Sequence, residues 1–435
     1  MKIILALTHG LHVRNWCATG LLKMLVDQGH RVTVLAPEPL LGWVIQGLMI
    51  GDPQGPYNRL GLCRTLAVEP YTGSRVRRWL RAGPYRTASY ATRSIHTRTY
   101  AHKLARRRRW RQRLEIAVAG RLGEGWALES ERRWRPGDAC VRLLQSERPD
   151  LLVTPSFLHT GLEVDLLKAA RVAGITTVVP VATWDALVSK GCFLERPDRL
   201  LVWGEQSKQH AYELHGFQAQ QVVVTGAPQF DVYAGPMPAG QRQTVLVAGT
   251  TIAYWQDEQR VVEALARDGE RAGYAVHYRP HPRQRRDLAA FAEGLGNVTL
   301  DGEWREQAAN GGGFSPRPAD LGHLRGVLDR CFGVVASFST VSVEAALLGL
   351  PTFMVGFGVD IPGHADWEHI SPILTWPGVA LCETTDHLLA QIRMARSGAF
   401  ESCVGGLRER ANTVARNLDG LARERIVGAL EEADG

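Results

Sequence analysis

The 435-residue chain has no run of apolar residues approaching the ~20 that a membrane-spanning helix requires. It has no Cys-x-x-Cys pair either. Its seven cysteines, at positions 17, 63, 140, 192, 331, 382 and 403, are odd in number and widely scattered. Neither a disulfide framework nor a zinc site is indicated, and the cysteines read as reduced cytosolic thiols. After Met1-Lys2 the first apolar run ends at Leu7 and is broken by Thr8-His9, too short for a secretory leader. The expectation is a cytoplasmic protein whose contact with membranes is at most peripheral. No GxGxxG follows the first apolar run, which sets aside the dinucleotide fingerprint. No acidic metal motif is evident, and no cofactor is expected.

What is present is the balance of a soluble globular protein, with 45% hydrophobic and 22% charged residues. That balance excludes collagen-like, low-complexity and wholly disordered chains. The length suggests two or three domains. The net charge of +7 hides an asymmetry. From Arg75 to Arg135 there are 18 Lys and Arg against four acids (Glu115, Glu124, Glu129, Glu131), a net of +14, which leaves −7 for the remainder. An anionic partner should meet the chain in that segment.

The start reads strand, loop, helix, strand. Lys2–Thr8 is a continuous apolar run, as in a strand buried on both faces. His9–Trp16 reads as a polar loop. Ala18–Gln28 has helical periodicity ended by Gly29, and Arg31–Ala36 is a second strand. This is a βαβ unit of a doubly wound parallel sheet. Similar units recur at Leu151–Val181 and Asp198–Thr225. Residues 234–243, rich in Gly and Pro, read as a linker. The rhythm restarts with strands at Thr244–Ala248, Ala275–Tyr278, Val334–Ser337 and Thr352–Val355, and a helix at Val341–Leu348. Gln307–Pro318 reads as a mobile loop.

The expected fold class is α/β, with two Rossmann-like doubly wound domains. The first spans 1–233 and carries a basic helical insertion over 75–135. The linker is 234–243, the second domain 244–404, and a C-terminal helix occupies 405–435.

Three stretches resemble GT-B glycosyltransferases. They are the opening "KIILALTHGLHVRNWCATGLLKMLVDQGHRVTVLAP", the central "TWDALVSKGCFLERPDRLLVWGEQSKQHAYELHGFQAQQVVVTGAPQFD", and "YRPHPR" followed by "ASFSTVSVEAALLGLPTFMVGF". Within that superfamily they are similar to bacterial surface-polysaccharide transferases and to CDP-glycerol glycerophosphotransferase-like proteins. The resemblance implies two Rossmann-like domains with a cleft between them and a nucleotide-activated donor as substrate.

Ser337, Ser339 and Thr340 lie between a strand and a helix, where free amides and hydroxyls can hold a phosphate. Ordinary capping is the plainer reading of the same residues. The resemblance implies that Glu344 accepts the ribose hydroxyls. Arg279 and His281, held in a turn by Pro280 and Pro282, could neutralise and protonate a leaving phosphate. That would substitute for a metal ion, as the resemblance implies. Thr250 and Thr251 could also reach the phosphates. For the acceptor hydroxyl a general base is needed. His9 leads, with His12 and Asp185 as alternatives. Arg14, Trp184 and Lys190 complete an acceptor-side set.

The function expected is sugar transfer from a nucleotide donor to a hydroxyl of a glycan or lipid-linked saccharide, in polysaccharide biosynthesis. Glycerophosphotransfer on the same fold is the nearest alternative. A non-hydrolysing UDP-GlcNAc 2-epimerase is disfavoured, because Ser337–Glu344 lacks that family's Gly-Gly and paired Glu. A non-catalytic nucleic-acid or membrane binder is the rival from another class. In the basic segment, Arg among Trp79, Trp110, Trp126 and Trp134 favours a membrane surface or an anionic acceptor over nucleic acid.

Overall fold

The computed structural model describes residues 1–48, 62–68, 75–82, 110–155, 161–190, 192–236, 240, 242–250, 255–281, 288–304, 319–337, 339–359 and 364–434. They divide into two compact units. Met1–Pro228 with Ala422–Gly435 form the first, and Gln229–Leu421 the second.

The first unit is built on seven parallel strands: β1 (Lys2–Ala6), β2 (Arg31–Pro37), β3 (Cys63–Val68), β4 (Leu151–Val153), β5 (Thr176–Pro180), β6 (Arg199–Val202) and β7 (Val222–Val224), in the order β3-β2-β1-β4-β5-β6-β7. The unbroken apolar reading of β1 has a direct cause. Its alternate residues serve two different cores. Ile3 and Leu5 pack with Leu21, Leu22 and Leu25 of the helix Leu21–Asp27. Ile4 and Ala6 pack with Leu144 and Leu166, from the helices Asp138–Glu147 and Gly161–Ala173. A strand covered by helices on both faces has no solvent side to mark with polar residues. The connections run to β2 and β3 on one side of β1 and then to β4 on its other side, so the chain direction reverses between β1 and β4.

The second unit repeats the plan with six parallel strands: β8 (Thr244–Ala248), β9 (Ala275–Arg279), β10 (Val298–Leu300), β11 (Cys331–Ala336), β12 (Thr352–Val355) and β13 (Val379–Cys382), in the order β10-β9-β8-β11-β12-β13. Here the reversal falls between β8 and β11. Two doubly wound parallel-sheet units, as expected, make up the chain.

Several boundaries differ from the expectation. His9–Trp16 is not a polar loop. Gly10–Val13 is helical and runs into a π-helical turn, Arg14–Ala18, because Leu11, Val13, Trp16 and Cys17 are all buried. The expected border at 233/234 moves to Pro228. The turn that Pro228 opens lies in the second unit from Gln229 on, held there by Asn417 Nδ2 donating to Asp231 Oδ1 (2.8 Å) and Arg325 donating to the Val232 carbonyl (2.9 Å). The single C-terminal helix is two, Val404–Val414 and Ala422–Asp434. The second of these returns to the first unit, where Ile426, Val427 and Leu430 join the core around β1. β3, β10 and β13 carry no clear signal in the sequence; all three are sheet edges, where one flank is unpaired.

In the basic segment the described parts are helical: Arg75–Ala82 and Trp110–Arg132. The second is broken at Gly123, whose φ of 68° lies in the left-handed region that favours glycine. The run Arg106–Arg109 and the loop Gln307–Pro318 lie outside the described residues. Two arginines are not surface charges. Arg77 and Arg81 are buried and share Glu131 Oε1 (2.8 and 2.6 Å) and Asp165 Oδ1 (3.0 and 2.8 Å). Lys168 Nζ adds a third cation, 3.2 Å from Glu131 Oε1. Burial alone would raise the Glu131 carboxyl, but Arg81 and Arg77 hold it below its usual range. Burial likewise lowers Lys168, only partly offset by Glu131. The cluster ties Arg75–Ala82 to Trp110–Arg132 and Gly161–Ala173. Among the described residues no helix is long and apolar enough to cross a membrane.

Candidate functional site

Ligands of open α/β sheets bind beyond the carboxyl ends of the strands, where the strand order reverses. In the second unit that point is fixed by register. Ala336 of β11, Ala248 of β8 and Arg279 of β9 lie side by side in one row. The residues that follow are Ser337, Gly249-Thr250 and Pro280-His281. Three separate sequence motifs are therefore brought to one edge of one sheet.

Two of them, those after β8 and β9, are held from behind by a carboxylate. The Thr250 N–H donates to Glu258 Oε2 (2.9 Å), and the Tyr278 hydroxyl donates to Glu258 Oε1 at 2.5 Å. Gly249 allows this. A Cβ there would lie 2.4 Å from Glu258 Oε1, closer than atoms can approach. Thr251 and Pro282 lie outside the described residues.

Asp301 plays the same part for β9. Its Oδ2 accepts from His277 Nε2 (3.0 Å) and His323 Nε2 (2.9 Å), and its Oδ1 accepts from Arg279 (2.9 Å) and the Trp304 N–H (3.0 Å). Burial would raise this carboxyl. The donors from His277, Arg279, His323 and Trp304 reverse that and hold it far below the ordinary range. Trp304 Nε1 in turn donates to the His281 carbonyl (3.2 Å). Arg279 was expected to meet a leaving phosphate. Its guanidinium instead spans Asp301 and Glu303 (3.1 Å), and these charges keep it protonated against the effect of burial. These pairs brace the strand end that leads into Pro280-His281.

Asp301, Glu303 and His323 place one ligand atom each within 4.8 Å of one another, a spacing a metal ion could use. The Arg279 guanidinium already supplies positive charge to both carboxylates.

After β11, Ser337 is buried, and Ser339 Oγ accepts from the Val341 N–H at 3.4 Å. That is the capping role. Thr340 stands at the cap position without a side-chain cap bond. Phe338 lies outside the described residues. Glu344 sits one turn into the helix Val341–Leu347 and is nearly buried. Its Oε2 accepts the Tyr233 hydroxyl, so the carboxylate expected to receive two ribose hydroxyls already holds a donor of the protein's own.

In the first unit the reversal lies between β1 and β4, which places Thr8 and His9 at the corresponding position. His9 caps the following helix, its Nδ1 accepting the Leu11 N–H (3.1 Å). An imidazole that accepts at Nδ1 carries its proton, when neutral, on Nε2, and presents a donor there. This geometry argues against the expected role of His9 as base. His12 is fully buried, with Nδ1 3.5 Å from Thr8 Oγ1, and Thr8 donates to the buried Glu163. Arg14 donates to Asn15 Oδ1 (3.1 Å). Asp185 accepts from the Ser189 hydroxyl and pairs with Lys190 at 3.6 Å, while Trp184 is buried beside it. The expected acceptor-side residues thus sit in two groups: Thr8–Asn15 after β1, and Trp184–Lys190 after β5.

Sequence reasoning did not single out Tyr233, Glu163, Glu258, Asp301, His277 or His323. Only His277 stood close to a recognised motif, two residues before Arg279 in "AVHYRPHP". A cavity of about 480 Å³ in the second unit opens at the opposite edge, between the strand starts and the loop around Arg396–Glu401.

No family model matches the chain, and no curated protein does. Solved structures match it along its whole length. A UDP-GlcNAc 2-epimerase from Neisseria meningitidis bound to UDP-GlcNAc aligns with a TM-score of 0.56 and 12% identity, covering 99% of this chain and 100% of its own. The kitacinnamycin glycotransferase gives 0.53 and 14%, covering 100% and 99%. The calicheamicin glycosyltransferase CalG4 gives 0.51 and 15%, covering 99% and 98%. At such identities the likeness is one of fold. The chain has the fold common to GT-B glycosyltransferases and UDP-GlcNAc 2-epimerases.

Proposed function

We propose that the protein is a glycosyltransferase, moving a sugar from a nucleotide-activated donor to a hydroxyl of a glycan or lipid-linked saccharide. The observation that carries this reading is the row Ala336–Ala248–Arg279, which delivers Ser337–Thr340, Thr250 and His281 to the reversal point of the second sheet. In sugar transfer the acceptor oxygen bonds to the anomeric carbon as the bond to the nucleotide phosphate breaks. The departing phosphate gains charge, and donors already aimed at it lower the barrier. His281, with its turn braced by Trp304 and Arg279, and the hydroxyls of Ser339 and Thr340 are the donors assigned to it. Glu344, held by Tyr233, is assigned to the nucleoside. No metal ion enters this scheme. The first unit takes the acceptor, with Thr8–Asn15 and Trp184–Lys190 as its contacts.

A 2-epimerase acting on a nucleotide sugar is the second reading, favoured by the meningococcal structure bound to UDP-GlcNAc. The two differ in product. A transferase releases nucleotide only when an acceptor is present, whereas an epimerase converts the donor alone.

The test is thermal unfolding with CMP, CDP, UDP, GDP and ADP, on the wild type and on His281→Ala. One nucleotide at 100 times its dissociation constant should add about 2.7 kcal/mol. That gain should shrink in the variant. Stabilisation by none of them would overturn both readings. Once the base is known, incubation with its sugar nucleotides, with and without acceptor glycans, separates transferase from epimerase.

A further inference from the structure

The helix Arg75–Ala82 is inverted relative to the usual rule for a surface helix. Its arginines 77 and 81 point inward, onto Glu131 and Asp165, while Val76 and Trp79 face out at 58% and 50% exposure. Those two residues are three apart and share a helix face. The helix Trp110–Arg132 also carries apolar residues outward, with Trp110 and Leu114 four apart and 68% and 56% exposed, and Leu122 further along. Of the nine large hydrophobic residues exposed among the described residues, these five fall between 76 and 122. Apolar side chains gathered on the outside of one segment mark an interaction surface.

The sequence of the segment carries a large excess of one sign. The segment holds 18 basic residues and four acids, and Glu131 among the acids is buried against Arg77, Arg81 and Lys168. The surplus is therefore cationic, and its partner anionic. The exposed set also says which anionic partner. Tryptophan could stack on a nucleic-acid base, but Val76, Leu114 and Leu122 have no aromatic face to offer. Aliphatic chains and tryptophan beside arginine suit a bilayer surface, where the apolar groups enter the acyl boundary and arginine meets lipid phosphates.

We propose that Arg75–Ala82 and Trp110–Arg132 dock the protein on the surface of an anionic phospholipid bilayer, through Val76, Trp79, Trp110, Leu114 and Leu122. The buried cluster of Arg77, Arg81, Glu131, Asp165 and Lys168 is the anchor that joins these helices to the first unit. The surface stands independently of the proposed reaction.

The experiment is co-sedimentation of the full chain with vesicles of phosphatidylcholine alone and with vesicles containing phosphatidylglycerol. Binding is expected only to the anionic vesicles, and it should fall as salt rises. The double variant Trp79→Ala/Trp110→Ala should bind about tenfold or more weakly, since each tryptophan would bury a large apolar area. Its thermal unfolding should change little, because half or more of each side chain is exposed. Arg75→Glu, also at an exposed position, should weaken binding in the same direction. Absence of binding to anionic vesicles would overturn the proposal. So would equal binding by the wild type and the double variant. A third overturning result is tighter binding to single-stranded RNA than to vesicles, lost on the same substitutions.

Discussion

Tyr233 donates its hydroxyl to Glu344 across 111 residues of chain. The tyrosine ends the turn Pro228–Tyr233 and the glutamate lies on the helix after β11, so one hydrogen bond joins the entry to the second unit with its candidate nucleotide site. Both side chains are buried. Phe230 packs edge-on to the Tyr233 ring at 5.6 Å and would hold a phenylalanine in the same place.

Tyr233→Phe is therefore expected to keep the packing and lose the hydrogen bond. Removing a donor from a buried carboxylate costs about 1–3 kcal/mol. Urea unfolding should show that loss, and the nucleotide that stabilises the wild type should bind less tightly. Unaltered nucleotide affinity would separate Glu344 from the site.

Asp301 gives a pH-dependent prediction. Its carboxyl titrates far lower in the folded protein than in the unfolded chain, so the unfolded state takes up the proton first as pH falls. The stabilisation it confers is complete above the unfolded carboxylate value of about 4 and is lost progressively below it. Asp301→Asn leaves Arg279, His277 and His323 around a neutral amide. At neutral pH it should lose about 3–5 kcal/mol. The gap from the wild type should close as the pH drops below about 4. A gap that is constant with pH would contradict this.

Glu131 is the common acceptor of two buried arginines and a buried lysine. Glu131→Gln should destabilise the first unit by about 3–5 kcal/mol, because three cations would remain with Asp165 as their carboxylate partner. Limited proteolysis should then cut the basic segment much faster than in the wild type. Replacing the cluster with apolar residues of similar volume should recover part of that stability.

Leu430→Ala tests the return of the last helix. The residue is fully buried in the core around β1, so the loss should be about 2–5 kcal/mol. The first unit, not the second, should become the less stable of the two by hydrogen exchange.

The doubly wound plan was legible because β1, β8 and β11 lie inside their sheets and read as unbroken apolar runs. The edge strand Cys63–Val68 was not, since Arg64-Thr65 interrupts it and it neither alternates nor forms an unbroken apolar run. His281 and Ser337–Thr340 could be found because they follow strands directly. Their supports could not. Asp301, Glu258 and Tyr233 stand 22, 8 and 111 residues from the groups they hold, at Arg279, Thr250 and Glu344, and only the folded chain brings them near. The meaning of Arg77 and Arg81 was hidden for a related reason. Charge counting cannot tell an arginine that faces lipid or water from one that faces a buried glutamate.

The helix Ala422–Asp434 lends Ile426, Val427 and Leu430 to the same core as Ile3 and Leu5. During synthesis, residues 1–228 therefore leave the ribosome without part of their own interior. The stretch Gln229–Leu421 can collapse on its own strands while the earlier part waits. The unit made first is the one completed last, and through that interval the face of β4, β5 and β6 that the last helix covers stays open.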